Sequence, residues 1–315
     1  MPASQRIAVI GAGLMGHGIA QVFACAGHDV TVQDPFPEVL GTLHERVAAN
    51  LRRLGLPEAA VERIRPCDEI ADAVAGATFI FEAAPEDVAL KQELMVRITD
   101  CAAPDAVIAS NTSSMPVATY AETARGRERV VGAHWWNPPW LIPLVEVVQG
   151  AESSPAAVEA TMALLAGAGK LPVIVRKDVP GFIANRLQHA LWREAVALVQ
   201  DGICDAETVD QCIRNSFGLR LPVMGPLETA DLVGLDMTLA IHEQILPSID
   251  RTPGPLRILI DKVSAGDLGM KTGRGFREWT PEQAAAARQR LTDHLIATLR
   301  PPAADADAGA TGRAG

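Results

Sequence analysis

At 315 residues the chain is long enough for two domains, and its 48% apolar and 21% charged residues are the balance of a soluble globular protein, which excludes a disordered or fibrous class. A net charge of −10 argues against a surface built to bind nucleic acid. No apolar run reaches the ~18 residues of a membrane span, the first residues lack the basic and apolar regions of a secretion leader, and the five cysteines (Cys25, Cys67, Cys101, Cys204 and Cys212) are scattered without a CxxC spacing. The expectations are therefore a cytoplasmic protein with no disulfide framework, no metal site and no membrane contact.

Arg6 to Ile10 reads as a strand buried on both faces, followed by Gly11-Ala12-Gly13-Leu14-Met15-Gly16 and a helix from Gly18 onward. A dinucleotide-binding turn is built in this order. Gly11 permits the tight turn, Gly13 lets backbone approach a pyrophosphate, and Gly16 lets the helix lie close on the strand. The helix start, with Leu14 and Met15, offers unpaired N–H groups to the anion. The next strand, His28 to Gln33, closes on Asp34 about 20 residues beyond the glycines, where an acid holds a ribose 2′-hydroxyl. Asp34 would repel a 2′-phosphate and is followed by Pro35 and Phe36 rather than Arg, so NAD is the expected cofactor.

Residues 38–66 carry an apolar stripe (Val39, Leu40, Leu43, Val47, Leu51, Leu54) that breaks at Gly55-Leu56-Pro57 and resumes with Glu58 to Ile64, the pattern of an inserted helical hairpin. Thr78 to Glu82 and Ala106 to Ala109 read as further buried strands. The second ends in Ser110-Asn111-Thr112-Ser113-Ser114, which reads as a helix cap or as the lining of a site; five polar residues after a buried strand favour the lining.

Arg129 to Ala133 leads into His134, and after a loop with Trp135, Trp136, Asn137 and Trp140 comes Leu144 to Val148, an apolar strand with a single Glu146. An ionised carboxylate there needs a partner. The loop is short enough for the second strand to return beside the first and bring Glu146 to His134, a pairing that would fix the imidazole tautomer for a general base. Leu171 to Val175 closes the nucleotide domain and Lys177 to Gly181 is its junction. Beyond it, Phe182 to Val199, Ala206 to Asn215 and Leu235 to Leu246 read as helices. The expected architecture is α/β: a Rossmann-type doubly wound parallel sheet with the helical insert (1–178), then an all-α substrate and dimerisation domain (179–300), then a disordered tail (301–315).

These residues resemble the L-3-hydroxyacyl-CoA dehydrogenase family over nearly the whole chain up to Trp279. The motifs are the glycine turn with Asp34, Glu82 with Glu86 and Lys91, Asn111 to Ser114, His134 with Asn137-Pro138, Glu146, Pro180-Gly181-Phe182 with Asn185-Arg186, Gly225-Pro226, and Lys271-Thr272-Gly273 with Gly275-Phe276. The resemblance implies that His134 is the base, Glu146 its partner, and Ser113 and Asn185 hold the substrate oxygen. It also implies that Glu86, Lys91, Asn111, Ser113, Asn137 and Lys271 contact NAD, and that the protein is a homodimer through the helical domain. The activity implied is hydride transfer between NAD and the carbinol carbon of a 3-hydroxy acid or its CoA ester.

Two departures bear on the substrate. Asn50 and Pro57 stand where CoA-ester members carry a serine and a lysine, and Trp135 and Trp136 follow His134 where smaller aromatics are expected. These features resemble relatives that oxidise free hydroxy acids. Arg220 then reads either as a carboxylate clamp or as a surface arginine. Reduction of a cyclic imine on the same scaffold, and a non-catalytic NAD-binding or structural protein, are the alternatives.

Overall fold

The computed structural model describes residues 4–299, so the tail expected from Pro301 lies outside the described residues. The chain divides into two compact units. One runs to Asn185 and takes the chain up again from Asp293, and the other is Arg186–Thr292.

The first unit alternates strands and helices: β1 (Arg6–Ile10), α1 (Gly16–Cys25), β2 (Asp29–Gln33), α2 (Pro37–Gly41), α3 (Leu43–Leu54), β3 (Ile64–Cys67), α4 (Ile70–Val74), β4 (Phe79–Glu82), α5 (Val88–Cys101), β5 (Val107–Ser110), α6 (Val117–Tyr120), β6 (Val130–Trp135), β7 (Leu144–Val148), α7 (Pro155–Gly167) and β8 (Leu171–Val175). The sheet order is β3-β2-β1-β4-β5-β6-β7-β8, parallel except where β7 runs antiparallel to β6. Alternate residues of each strand enter separate cores on the two faces: Ile7 and Val9 pack with Ile19, Phe23 and Val47, while Ala8 and Ile10 pack with Met95 and Ile98. The chain winds outward from β1 through β2 to β3, then crosses back to β4 on the other side of β1. The crevice at the carboxyl ends of β1 and β4 is thus the switch point where open α/β sheets take ligands.

The expected hairpin over 38–66 is corrected here. Only α3 is a full α-helix; Gly55 ends it in the left-handed region at φ 65°, Glu58–Arg63 is a single 3-10 stretch, and Ile64–Cys67 is the edge strand. Six residues after Pro57 are too few for a second amphipathic helix, and Ile64 gains burial by pairing with Val30. Pro66 is tolerated because the strand is at the edge.

The second unit is helical, with α8 (Ala184–Gln200), whose first two residues belong to the first unit, α9 (Ala206–Arg214), α10 (Pro226–Val233), α11 (Leu235–Ile245), α12 (Arg257–Ser264) and the greater part of α13 (Pro281–Leu299). Asp205 caps α9 by accepting from the Thr208 N–H at 2.7 Å. Its large exposed apolar side chains include Leu227, Leu232, Leu235 and Leu239 on α10 and α11.

Candidate active site

The glycine turn leaves β1 and enters α1. Gly11 adopts φ 99°, and its N–H donates to the Gln33 carbonyl at 2.7 Å, holding the turn against β2. A Cβ at Gly16 would stand 1.7 Å from the Gly11 carbonyl oxygen, so glycine there is dictated by helix-to-turn contact. Gly13 is different: a Cβ would meet no protein atom within 4 Å. Nothing in the fold requires glycine at that position, and the open space above the turn, beside the first N–H groups of α1, fits the pyrophosphate of a dinucleotide. Leu14 is exposed at this edge and Met15 is the residue before α1.

Asp34 follows β2, nearly buried, with Oδ2 accepting from the Ala12 N–H at 2.8 Å and Oδ1 from the Phe36 N–H at 3.0 Å. A carboxylate has four acceptor positions, so two remain for a ribose diol. The turn is gripped from its other side by Arg46 of α3, whose Nη2 donates to the Ala12 carbonyl at 2.8 Å and the Val39 carbonyl at 3.0 Å.

Beyond β4 lies a buried charged knot. Glu82 accepts from Lys91 Nζ at 2.8 and 2.9 Å, from the Ala84 N–H at 2.7 Å and from the Ser110 hydroxyl at 2.5 Å. Each charge is compensated and hydrogen-bonded, as burial requires. Lys91, expected to touch the nucleotide, is 1% exposed, with its ammonium on Glu82 and the Ala84 carbonyl and 4.0 Å from Glu86. It supports the strand end from below.

Glu86 accepts from the Thr112 hydroxyl at 2.9 Å and from the Ser113 N–H and hydroxyl, joining the loop after β4 to the loop after β5. Burial pushes its carboxyl up, but these donors and nearby Lys91 outweigh burial and hold it below the usual range. Asn185 Nδ2 donates to the Ser113 carbonyl at 2.9 Å, so these two site residues are brought together. Asn111 Oδ1 accepts from the Trp135 N–H at 2.9 Å and ties β5 to β6.

His134 and Glu146 stand directly opposite one another in the antiparallel β6–β7 register, and His134 Nδ1 lies 2.8 Å from Glu146 Oε2. Both are buried. The other carboxylate oxygen accepts from the Ile183 and Ala184 N–H groups at 2.9 and 3.0 Å. Those donors are aimed by the Pro180-Gly181-Phe182 turn, in which Gly181 and Phe182 both take positive φ, 75° and 50°. A bulky residue seldom adopts that conformation, which marks the turn as held by its surroundings. Burial pushes the Glu146 carboxyl up, while the His134 bond and the two backbone donors pull it down further, leaving a net lowering. With Glu146 ionised, Nδ1 carries the proton it donates and Nε2 is left as the acceptor.

Trp136 and Phe182 flank the imidazole, with ring centroids 5.4 and 5.6 Å away. Trp135 was expected to line the substrate, and this too is corrected. Successive strand residues face opposite ways, so Trp135 points into the core against Phe23 and Phe81 at 5.7 and 6.1 Å. Asn137 is exposed just beyond. Lys271 and Arg220 belong to the second unit and are exposed there, Arg220 directly after the 3-10 turn Phe217–Leu219.

Three features escaped sequence reasoning. The Ile183 and Ala184 N–H groups on Glu146 and the ring of Phe182 leave no sequence signal beyond the Pro-Gly punctuation. Arg46 does leave one, since it sits three residues after Leu43 and one before Val47 and so borders the buried stripe of α3.

Comparison with known proteins bears on this geometry. Residues 6–179 match the family model described as 3-hydroxyacyl-CoA dehydrogenase, NAD binding domain, and residues 181–279 match the C-terminal domain of the same family. The chain is 35% identical to the 5-formyl-3-hydroxy-2-methylpyridine 4-carboxylate 5-dehydrogenase of Mesorhizobium japonicum, over 94% of this chain and 97% of that one. A solved structure of a dehydrogenase of this kind superposes with a TM-score of 0.88 at 35% identity, again over 94% and 97%. An L-carnitine dehydrogenase of Pseudomonas aeruginosa is 45% identical over 87% of this chain and 89% of its own. The structure of a (S)-3-hydroxybutyryl-CoA dehydrogenase from Ralstonia eutropha matches at 32% identity and TM-score 0.73, over 88% of this chain and all of that one.

Proposed function

The chain belongs to the 3-hydroxyacyl-CoA dehydrogenase family, NAD-dependent dehydrogenases acting on CH–OH, and from that premise we propose that it oxidises a free 3-hydroxy acid with His134 and Glu146 as its acid–base pair. The observation that carries the acid–base reading is the buried 2.8 Å bond from His134 to a carboxylate already held by two backbone N–H groups. NAD, when bound, supplies the hydride acceptor. Gly13 and the start of α1 would receive its pyrophosphate, and Asp34 its adenosine ribose. His134 takes the hydroxyl proton on Nε2, Glu146 fixes the tautomer and stabilises the resulting imidazolium, and Trp136 and Phe182 shield the pair from water. In the reverse direction the imidazolium returns the proton. Ser113 and Asn185, joined to each other, position the substrate oxygen.

Two lines support a free acid. Asn50, at the first position of the CoA clamp, has turned its amide inward to Gln21 Oε1 at 3.0 Å, and Pro57, at the second, has no charge to offer. Relatives between 35% and 45% identical carry names specifying a pyridine carboxylate or L-carnitine, itself a free 3-hydroxy acid. The helical unit is the substrate and dimerisation domain in this reading, and its exposed leucines on α10 and α11 suit a second copy.

The test is NADH formation from L-carnitine, 3-hydroxybutyrate and 3-hydroxybutyryl-CoA compared at equal concentration. Turnover of a free acid well above the CoA ester is expected. If Arg220 grips the carboxylate, Arg220→Ala should lower kcat/KM for the acid roughly ten- to a hundredfold, the worth of a charge-assisted bond, and leave the CoA ester unaffected. A preference for the CoA ester, with Arg220→Ala inert on every substrate, refutes the free-acid reading.

A further inference from the structure

Arg46 takes no part in the proton chemistry, yet it is built into the nucleotide turn. Its Nη2 is fixed by the Ala12 and Val39 carbonyls, and Nη1 reaches the Gly13 carbonyl at 3.4 Å. Asp34 holds the N–H of the same Ala12 whose carbonyl Arg46 holds, so carboxylate and guanidinium grip one residue from its two ends. The sequence offers no arginine directly after Asp34, where a 2′-phosphate would be met. The fold brings one to the same turn from α3 instead, half-buried and bonded to protein carbonyls, with Asp34 as its nearby countercharge.

Guanidinium carries five N–H donors in a fixed fork, and Arg46 does not use them all. Nη2 is engaged twice and its Nε is enclosed by protein, so the donor left for a ligand is on Nη1, whose bond to the Gly13 carbonyl is long. A cation tethered this firmly costs little further entropy when an anion arrives. His17 also lies at this turn and bonds the Gly13 carbonyl through Nδ1; burial, with a smaller contribution from Arg46, outweighs that bond and disfavours the charged imidazole. Asp68 follows β3, whose Cys67 carbonyl accepts from the Asp34 N–H, and Glu38 and Glu45 adjoin Val39 and Arg46 along α2 and α3.

We propose that Arg46 is a specificity-determining residue, a ready-placed receptor for a 2′-phosphate that Asp34 neutralises, so that discrimination against NADP rests on the charge of Asp34 and is reversed by removing it. The inference builds on the NAD site described above. It holds that the cation required for NADP is already present in this chain and need not be introduced.

The test is direct binding, read as dissociation constants from the fluorescence of NADH and NADPH on the full-length protein. Four proteins are compared: wild type, Asp34→Ser, Arg46→Met and the double variant. NADH bound by wild type far more tightly than NADPH establishes the site itself. Asp34→Ser should then shift the NADPH-to-NADH affinity ratio toward NADPH by roughly a hundredfold, and the double variant should give back about tenfold or more of that shift, the worth of a charge-assisted bond to phosphate. Asp68 is present in all four proteins and cancels in the comparison. Should Arg46→Met fail to fold, as a thermal melt would reveal, Asp34→Ser with Arg46→Lys takes its place. The ammonium should retain only part of the gain, because it cannot reproduce the fork.

A merely structural Arg46 would change the affinities for both nucleotides in parallel, leaving the ratio of the double variant equal to that of Asp34→Ser. That result overturns the proposal, as does a ratio that Asp34→Ser leaves at the wild-type value. Failure of wild type to bind NADH would instead refute the NAD site.

Discussion

Replacing His134 by alanine should lower kcat by on the order of 10²–10⁴-fold, the usual contribution of general acid–base catalysis, while the NADH dissociation constant stays within about twofold of wild type. The expectation follows from where the imidazole sits. It is enclosed by Trp136 and Phe182 and fixed by Glu146, on β6, whereas the glycine turn follows β1. Glu146→Gln should cost somewhat less, since the imidazole remains but loses the partner that fixes its tautomer.

The same substitution carries a stability signature whose sign can be worked out. Glu146 has a lowered folded-state value, so its stabilisation is present above the ordinary carboxylate range and is lost as pH falls through the lowered value. Urea unfolding of wild type and Glu146→Gln should therefore show their stability difference shrinking in favour of the variant on going from pH 7 into the acid range. A His134→Ala enzyme with near-normal turnover, measured with saturating NAD, would remove this residue from the chemistry.

The second large effect is expected at the glycine turn, where two glycines of the same motif should fail in different ways. Gly16→Ala places a Cβ against the Gly11 carbonyl oxygen at 1.7 Å, a contact of a fixed Cβ with a backbone atom that no side-chain rotation relieves. Helix α1 must move, at a cost of roughly 1–3 kcal/mol or more, so both melting temperature and NADH affinity should fall. Gly13→Ala meets no protein atom within 4 Å, so its melting temperature should be unchanged. Its methyl group, however, projects into the space assigned to the pyrophosphate, and NADH affinity should drop about tenfold or more. A Gly13→Ala protein that melts normally and binds NADH as tightly as wild type would mean that the dinucleotide lies elsewhere.

Much of this organisation is legible in the residue order because it is local. A run of buried strand, three spaced glycines and a helix start can be read without knowing what else is near, and so can an acid at the end of the next strand. The His134–Glu146 pair is legible for a related reason: a short loop between two strands almost dictates antiparallel return, and residues so joined meet in register.

What was not legible depends on contacts between distant segments or on the parity of a strand. Trp135 and Trp136 look equivalent as a dipeptide, yet β6 can give only one of them to the face of His134, and Phe23 and Phe81 complete the core around the other. The burial of Lys91 against Glu82 is not legible either, since it joins a helix residue to a strand end nine positions away. The stretch after Pro57 has helical composition, but Val30 provides a strand to pair with, and tertiary pairing outweighs weak local preference. The two N–H groups that complete Glu146 come from 37 and 38 residues further along the chain.

Isotope transfer tests most directly whether the chain oxidises a CH–OH group with NAD. The best free hydroxy acid from the substrate comparison is prepared with deuterium on its carbinol carbon and converted in the presence of NAD, and the NADH formed is analysed by mass spectrometry. One deuterium in each molecule of NADH is expected, with a slower rate than with the unlabelled acid. NADH that forms without the label would contradict this.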